Sequence, residues 1–347
     1  MTARPGCHEA GPGPVLWLQT REDSVHLRPE LESLRGSRPR ISVFRSGGLG
    51  DTILLVPALR VLARELPDAA LTLVGSSWAH AIQPLLPFPV EVVSFDSSAL
   101  TPLFNPGTRR DPSGLLAGAD AVVVFSPACE GALAANARAL GPDRVIERSA
   151  RPDGADHASV HLARAFLAGP LDRTDLPAPG LVVPPHSRGG GRDWLRNRFG
   201  PDARPAAVHP GSGAARKCWP PERFAEVIHR TEEPVLLPAG PADREAAHSV
   251  LHHAGSPPRL QVARALAVEQ VAALLAECRW FLGNDSGLSH LAAGLDVPTV
   301  AVFGPTDPDV WSPRGPVVRV VRPRTHRDWP DPEAVLQALA SLRNPDR

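Results

Sequence analysis

Between Ile41 and Phe303 short apolar runs alternate with longer amphipathic stretches, and the alternation runs through twice. No other feature narrows the fold as far. Strands buried on both faces read as near-continuous apolar runs, and repeated strand–helix units feed a parallel sheet covered by helices. The first series predicts strands over Ile41–Arg45, Leu71–Val74 and Ala121–Phe125, with helices over Thr52–Glu65 and Gly131–Leu140. The second predicts strands at Ala206–His209, Val235–Leu237, Trp280–Leu282 and Thr299–Phe303. Its helices fall at Pro221–Arg230, Ala242–His253, Val268–Glu277 and Ser286–Leu295. Between the two series, residues 169–204 carry Pro170, Pro177, Pro179, Pro184, Pro185 and the run Gly189-Gly190-Gly191, the composition of a linker.

The expected fold class is therefore α/β, with two Rossmann-like domains facing a central cleft and ligands at the carboxyl ends of the strands. A chain of 347 residues is long enough for two hydrophobic cores. The expected division is a proline- and glycine-rich extension over 1–38, a first domain over 39–170, a linker over 171–203 and a second domain over 204–347. The extension has no sustained period and reads as a poorly ordered extension or an added surface segment. A last helix near Pro332–Leu342 fits either domain.

Charge and cysteine usage exclude several classes. Lys+Arg of 37 against Asp+Glu of 37 leaves no net charge to recruit nucleic acid. Cys7, Cys129, Cys218 and Cys278 are scattered without CxxC spacing, so neither a zinc cluster nor a disulfide framework is expected. The apolar run Val15-Leu16-Trp17-Leu18 is far shorter than a membrane span of roughly 20 residues, which predicts a cytoplasmic protein.

Three strand-to-helix turns carry candidate chemistry. The first, Phe44-Arg45-Ser46-Gly47-Gly48-Leu49-Gly50-Asp51, lets another molecule approach the backbone closely, and Asp51 suits a helix N-cap equally well. The second, His209 to Pro220, combines Ser212, Gly213 and Lys217 into a plausible cradle for phosphate oxygens. Lys217 is the only lysine in the chain. Arginine and ammonium present different shapes to a phosphate, which favours a function for this position over a solvated loop. The third, Phe281 to Ala293, opens a helix through Asp285-Ser286-Gly287-Leu288-Ser289-His290. First-turn amides and the positive end of the helix dipole favour an anion such as a diphosphate. Asp285 or Ser286 as a plain cap, with His290 incidental, is the competing reading. The loop Phe303 to Pro308 follows the next strand and opens towards the same cleft.

Together and in order, these motifs resemble the lipopolysaccharide heptosyltransferase family, glycosyltransferase family 9, over about Ile41 to Pro313. The residues that carry the resemblance are Ser46–Asp51 with Pro57-Ala58-Leu59-Arg60, His209–Pro220, and Gly283 through Gly304-Pro305-Thr306-Asp307-Pro308. The resemblance implies a GT-B architecture and inverting transfer of a heptose from ADP-heptose to a lipopolysaccharide core-type acceptor. It implies a donor site in the second domain and a glycolipid acceptor met by the first, at the inner face of the membrane. It further implies Asp51 as general base and Lys217, with the amides near Ser212-Gly213 and Ser286–His290, on the leaving diphosphate. Asp285 becomes a candidate for the donor sugar hydroxyls. No cofactor or metal is expected. The 1–38 extension departs from the family pattern, and Asn105–Gly118 reads as no regular element.

Two other classes compete. One is a same-fold glycosyltransferase or epimerase with another nucleotide diphosphate sugar. The other is a noncatalytic nucleotide-sugar binding protein, which would not need Asp51. A nicotinamide dehydrogenase is disfavoured, because neither glycine turn has dinucleotide spacing with an acid about 20 residues on.

Overall fold

The computed structural model describes residues 25–126, 131–154, 156–323 and 328–343. Two all-parallel sheets dominate. The first has five strands in the spatial order Glu91–Ser94, Ala70–Gly75, Arg40–Arg45, Ala121–Ser126, Val145–Ser149. The second has six, in the order Leu260–Arg264, Val235–Ala239, Ala206–His209, Phe281–Asn284, Thr299–Val302, Val318–Val321. Such sheets need apolar cover on both faces. In the first, Ile41 and Val43 join Val123 and Phe125 on one side, while Phe44, Val122 and Val124 join Leu133 and Ala137 on the other.

The helix Leu49–Glu65 explains how the two units meet. Leu54, Leu55, Ala58, Leu59 and Leu62 pack into the first domain's core. Leu49, Ile53 and Val56 recur at helical spacing on another stripe and pack with Ala207, Phe281 and Leu291 of the second unit. Further contacts tie the units together: Leu181 N donates to Gly294 O at 2.7 Å and Val182 N to Leu85 O at 2.8 Å. Nε2 of the buried His157 lies 2.9 Å from Ser312 O, and Arg314 donates to the carbonyls of Arg173 and Leu176.

Two expectations change, and one left open is resolved. The stretch 171–203 contains a helix, Pro185–Phe199, rather than open linker alone. One of its glycines serves packing: a Cβ on Gly191 would lie 2.7 Å from Ala273 O, so the absent side chain lets this helix press against the helix Val268–Leu275, while Gly189 and Gly190 face open space. Within 1–38, residues 1–24 lie outside the described residues, but the rest is ordered. His26–Leu27 pairs antiparallel with Leu167–Ala168, and Leu27, Leu31 and Leu34 are buried in the first core. The last helix, Pro332–Arg343, belongs with the second sheet, burying Val335, Leu339 and Leu342 beside Val300 and Val321. Asn105–Gly118 indeed holds no helix or strand; its turn is tied by Asp111, whose Oδ2 accepts from the amides of Leu116 and Ala117 at 2.9 Å. No described helix is long and apolar enough to cross a membrane.

Candidate functional site

The first glycine turn leaves the strand Arg40–Arg45 at its carboxyl end. Gly47 has φ +148°, and a Cβ there would lie 2.7 Å from that of Asp51, so the turn admits no side chain at this point. The N-cap of the following helix is Gly48, and Asp51 is its third residue, not its cap. The carboxylate reaches back instead: Oδ2 accepts from Gly48 N at 2.9 Å, and Oδ1 from Arg45 Nη2 at 3.2 Å. The Arg45 side chain is only 7% exposed, against 38% for Asp51. Burial lowers the pKa of the Arg45 guanidinium, and the Asp51 charge opposes that shift. Arg45 therefore depends on Asp51 as its anion.

Two strand ends of the second domain are stapled by Asn284, which is fully buried. Its Nδ2 donates to Pro210 O at 2.8 Å and its Oδ1 accepts from Trp219 N at 2.9 Å, fixing the start and finish of the His209–Pro220 loop. Asp285 then collects the polar groups: Oδ2 accepts from Lys217 Nζ and from Thr306 Oγ1, each at 2.7 Å, and its carbonyl accepts from Ser212 Oγ at 2.8 Å. The sole lysine is thus held at the mouth of the strands by a carboxylate that is itself 7% exposed.

Ser286 is the N-cap of the helix Gly287–Gly294, yet its side chain makes no capping bond. Its hydroxyl lies 3.4 Å from His209 Nδ1, and His209 Nε2 lies 3.3 Å from Asp243 Oδ2. Burial alone would raise the Asp243 pKa, but His209 and the Gly240 amide carry it below its ordinary value. Ser289 Oγ donates to Asn284 O at 2.5 Å. Burial lowers the pKa of His290 against the pull of Asp285 and Asp51, and its buried Nδ1 has no partner among the described residues. Leu288 packs into the apolar contact between the domains, and Gly213 stands exposed with nothing near its Cα hydrogens.

Both turns meet across the domain boundary. A Cβ on Gly50 would sit 2.9 Å from His290 Cδ2, and one on Gly287 would sit 2.7 Å from Leu49 Cβ. Asp51 is thereby brought towards Ser286–His290, so the motifs at 46–51, 212–217 and 285–290 form one region. Arg45, His209, Asp243, Asn284 and Thr306 also belong to it. Arg45, His209, Asn284 and Thr306 lie inside the motifs themselves; Asp243 has only its position just beyond a strand end to mark it. Among the described residues no group of three or more His, Cys, Asp and Glu side chains converges. A cavity of about 800 Å³ lined by Arg204, Glu232, Arg279 and neighbours lies at the opposite, amino-terminal edge of the second sheet, away from these helix starts.

Residues 172–334 match the glycosyltransferase family 9 (heptosyltransferase) family model. Lipopolysaccharide heptosyltransferase 1 of Pseudomonas aeruginosa is 30% identical over 302 residues, covering 78% of this chain and 79% of that protein. Lipopolysaccharide heptosyltransferase 2 of Salmonella typhimurium is 29% identical over 194 residues, 53% of this chain; this match spans about half of the relative, 55% of its length. The solved structure of E. coli ADP-heptose lps heptosyltransferase II shares the fold, with a TM-score of 0.69 at 21% identity over 87% of this chain and 98% of that one. With that extent of similarity in sequence and in the two-sheet GT-B architecture, the chain belongs to glycosyltransferase family 9, the lipopolysaccharide heptosyltransferase family.

Proposed function

We propose that the protein is an inverting glycosyltransferase that moves a heptose from ADP-heptose to a lipopolysaccharide core-type acceptor. The observation that carries this reading is the meeting of two helix starts: the turn bearing Asp51 abuts, through Gly50 and His290, the turn bearing Ser286–His290 beside Lys217. An anion-binding end and a carboxylate on opposite domains suit displacement at an anomeric carbon lying between them.

In this mechanism Asp51 takes the proton of the acceptor hydroxyl as it attacks. Lys217 and the first-turn amides of the helix Gly287–Gly294 stabilise the charge that grows on the departing diphosphate. With attack and departure on opposite faces, the anomeric carbon inverts. Lys217 already faces Asp285 Oδ2, so donor binding makes the ammonium a bridge between carboxylate and phosphate. Since Oδ2 is taken by Lys217 and Thr306, the other oxygen of Asp285 is the one left for a donor-sugar hydroxyl. Ser212, Gly213 and Ser289 complete the donor side, and the first domain receives the acceptor. A glycolipid acceptor would be met at the inner face of the membrane by a protein working from the cytoplasm.

The test is a donor titration on the whole protein. ADP and ADP-heptose are expected to bind, and transfer is expected to persist in EDTA. Binding of another nucleoside diphosphate with no affinity for ADP, or activity abolished by chelation and restored by magnesium, would overturn the reading.

A further inference from the structure

Away from this site, the first domain carries a pocket of about 330 Å³ lined by Arg28, Arg148, Arg164, Pro29, Leu167 and Ala168, with Gly169 at its edge. We propose that it binds the phosphate group of a ligand. The inference does not depend on the glycosyltransfer reading.

Each arginine comes from a different element. Arg28 follows the strand His26–Leu27 and is fixed by its amide, which donates to Phe166 O at 2.8 Å. Arg148 lies in the edge strand Val145–Ser149, and Arg164 ends the helix Ala158–Ala163. One nitrogen of each guanidinium is committed: Arg148 Nε to His161 O at 2.9 Å, Arg164 Nε to Asp156 Oδ2 at 3.0 Å, and Arg28 Nη2 to Glu30 Oε1 at 3.0 Å. Asp156 and Glu30 hold the arginines from outside the pocket, whose lining contains no carboxylate. The terminal nitrogens of Arg148 and Arg164 meet no acceptor among the described residues, and the buried Arg28 Nε has none either. The charges also oppose one another. Burial lowers the Arg148 pKa and Asp153 resists this, but Arg164 and Arg28 lower it further.

Only Arg28 Nε is buried without an acceptor; the terminal nitrogens of Arg148 and Arg164 are open to an incoming acceptor, and planar guanidinium forks pair best with oxyanions. Three arginines match a phosphate monoester, which carries a charge of about −1.5 to −2 and three acceptor oxygens. A carboxylate offers fewer of both. In parallel register, Arg148 stands beside Phe125, and Phe125 beside Arg45. Two strand spacings, about 10 Å, therefore separate the Arg148 backbone from that of the arginine paired with Asp51. The pocket is built on the edge strand Val145–Ser149, two strands from the one that leads to Asp51. It also needs Arg28, from the segment that departs from the family pattern.

Arginine labelling with phenylglyoxal, read by peptide mass spectrometry, reports on this pocket separately from the Lys217 site. Inorganic phosphate at constant ionic strength is expected to protect Arg28, Arg148 and Arg164 with one shared midpoint. In Arg148→Gln, protection of Arg164 should require at least tenfold more phosphate, and Arg164→Gln should do the same to Arg148. Phosphatidylcholine vesicles with and without phosphatidic acid separate the sources. Protection by phosphatidic acid at lower phosphate content points to a lipid headgroup, and protection by free phosphate alone to a soluble phosphate. Labelling indifferent to both, or protection of Arg164 that survives Arg148→Gln unchanged, overturns the proposal.

Discussion

Replacing Asp51 by Asn separates what its carboxylate does for the fold from what it does for the reaction. The Asn carbonyl can still accept from Gly48 N, so the helix start persists. The other end of the amide, however, places a donor against Arg45 Nη2, which now sits 3.2 Å from the carboxylate. Because Asp51 is more than a third exposed, losing that ion pair should cost only about 1 kcal/mol. Losing a negative charge from the first helical turn adds roughly 0.5 kcal/mol. At about 2–4 °C per kcal/mol for a domain of this size, the melting temperature should fall by roughly 3–6 °C. Removal of a general base should slow transfer by about 10²–10⁴-fold, a far larger effect than the stability change. Calorimetry with ADP should give an affinity equal to wild type, since none of the donor-side contacts changes. The pattern expected is thus a modest melting shift, an intact donor site and almost no turnover to acceptor. Transfer within a few-fold of wild type would remove Asp51 from the mechanism. An unchanged melting temperature would instead refute the role assigned to the Arg45 pair.

The other perturbations read different parts of the molecule. Lys217→Met should weaken ADP binding about tenfold to a hundredfold, the worth of a charged hydrogen bond, and ADP affinity within twofold of wild type would free Lys217 from the diphosphate. His157 titrates at about 3 in the fold, chiefly because burial disfavours its charged form and Arg173 repels it. The unfolded chain, with a histidine pKa near 6.5, then binds the extra proton, so this stabilisation is complete above about pH 6.5 and is lost as pH falls towards 3. Urea melts should show about 2 kcal/mol less stability at pH 5 than at pH 7 from this residue, and His157→Gln should flatten that slope; an identical slope in the variant would exclude His157 as its source.

How far the sequence could be read follows from where each strand lies. The central strands, such as Ala121–Ser126 and Phe281–Asn284, are covered on both faces and show as apolar runs. The four edge strands, Glu91–Ser94, Val145–Ser149, Leu260–Arg264 and Val318–Val321, carry charged or polar side chains at exposed or half-buried positions, and periodicity does not distinguish them from loops. Gly191, in the run Gly189-Gly190-Gly191, misleads in the same physical way: a missing side chain signals flexibility in a linker and close approach in a packed helix, and only Ala273 reveals which applies. At the site, the motif residues were legible because they follow strand ends. Their partners were not, since Lys217 meets Asp285 across 68 positions of chain; the interdomain tie of His157 to Ser312 spans 155.

The contact between Gly50 and His290, and between Gly287 and Leu49, has a consequence beyond the residues that make it. In the proposed mechanism neither domain holds a complete reaction centre, so the registry between two separately packed cores becomes a quantity on which rate depends. Repacking deep in either core that tilts one helix start by a fraction of an ångström is transmitted to the gap between base and leaving group. Variants of this kind would look innocent in melting and donor-binding assays. They would still be slow enzymes, and a second substitution in the opposite domain that restores the registry would rescue them.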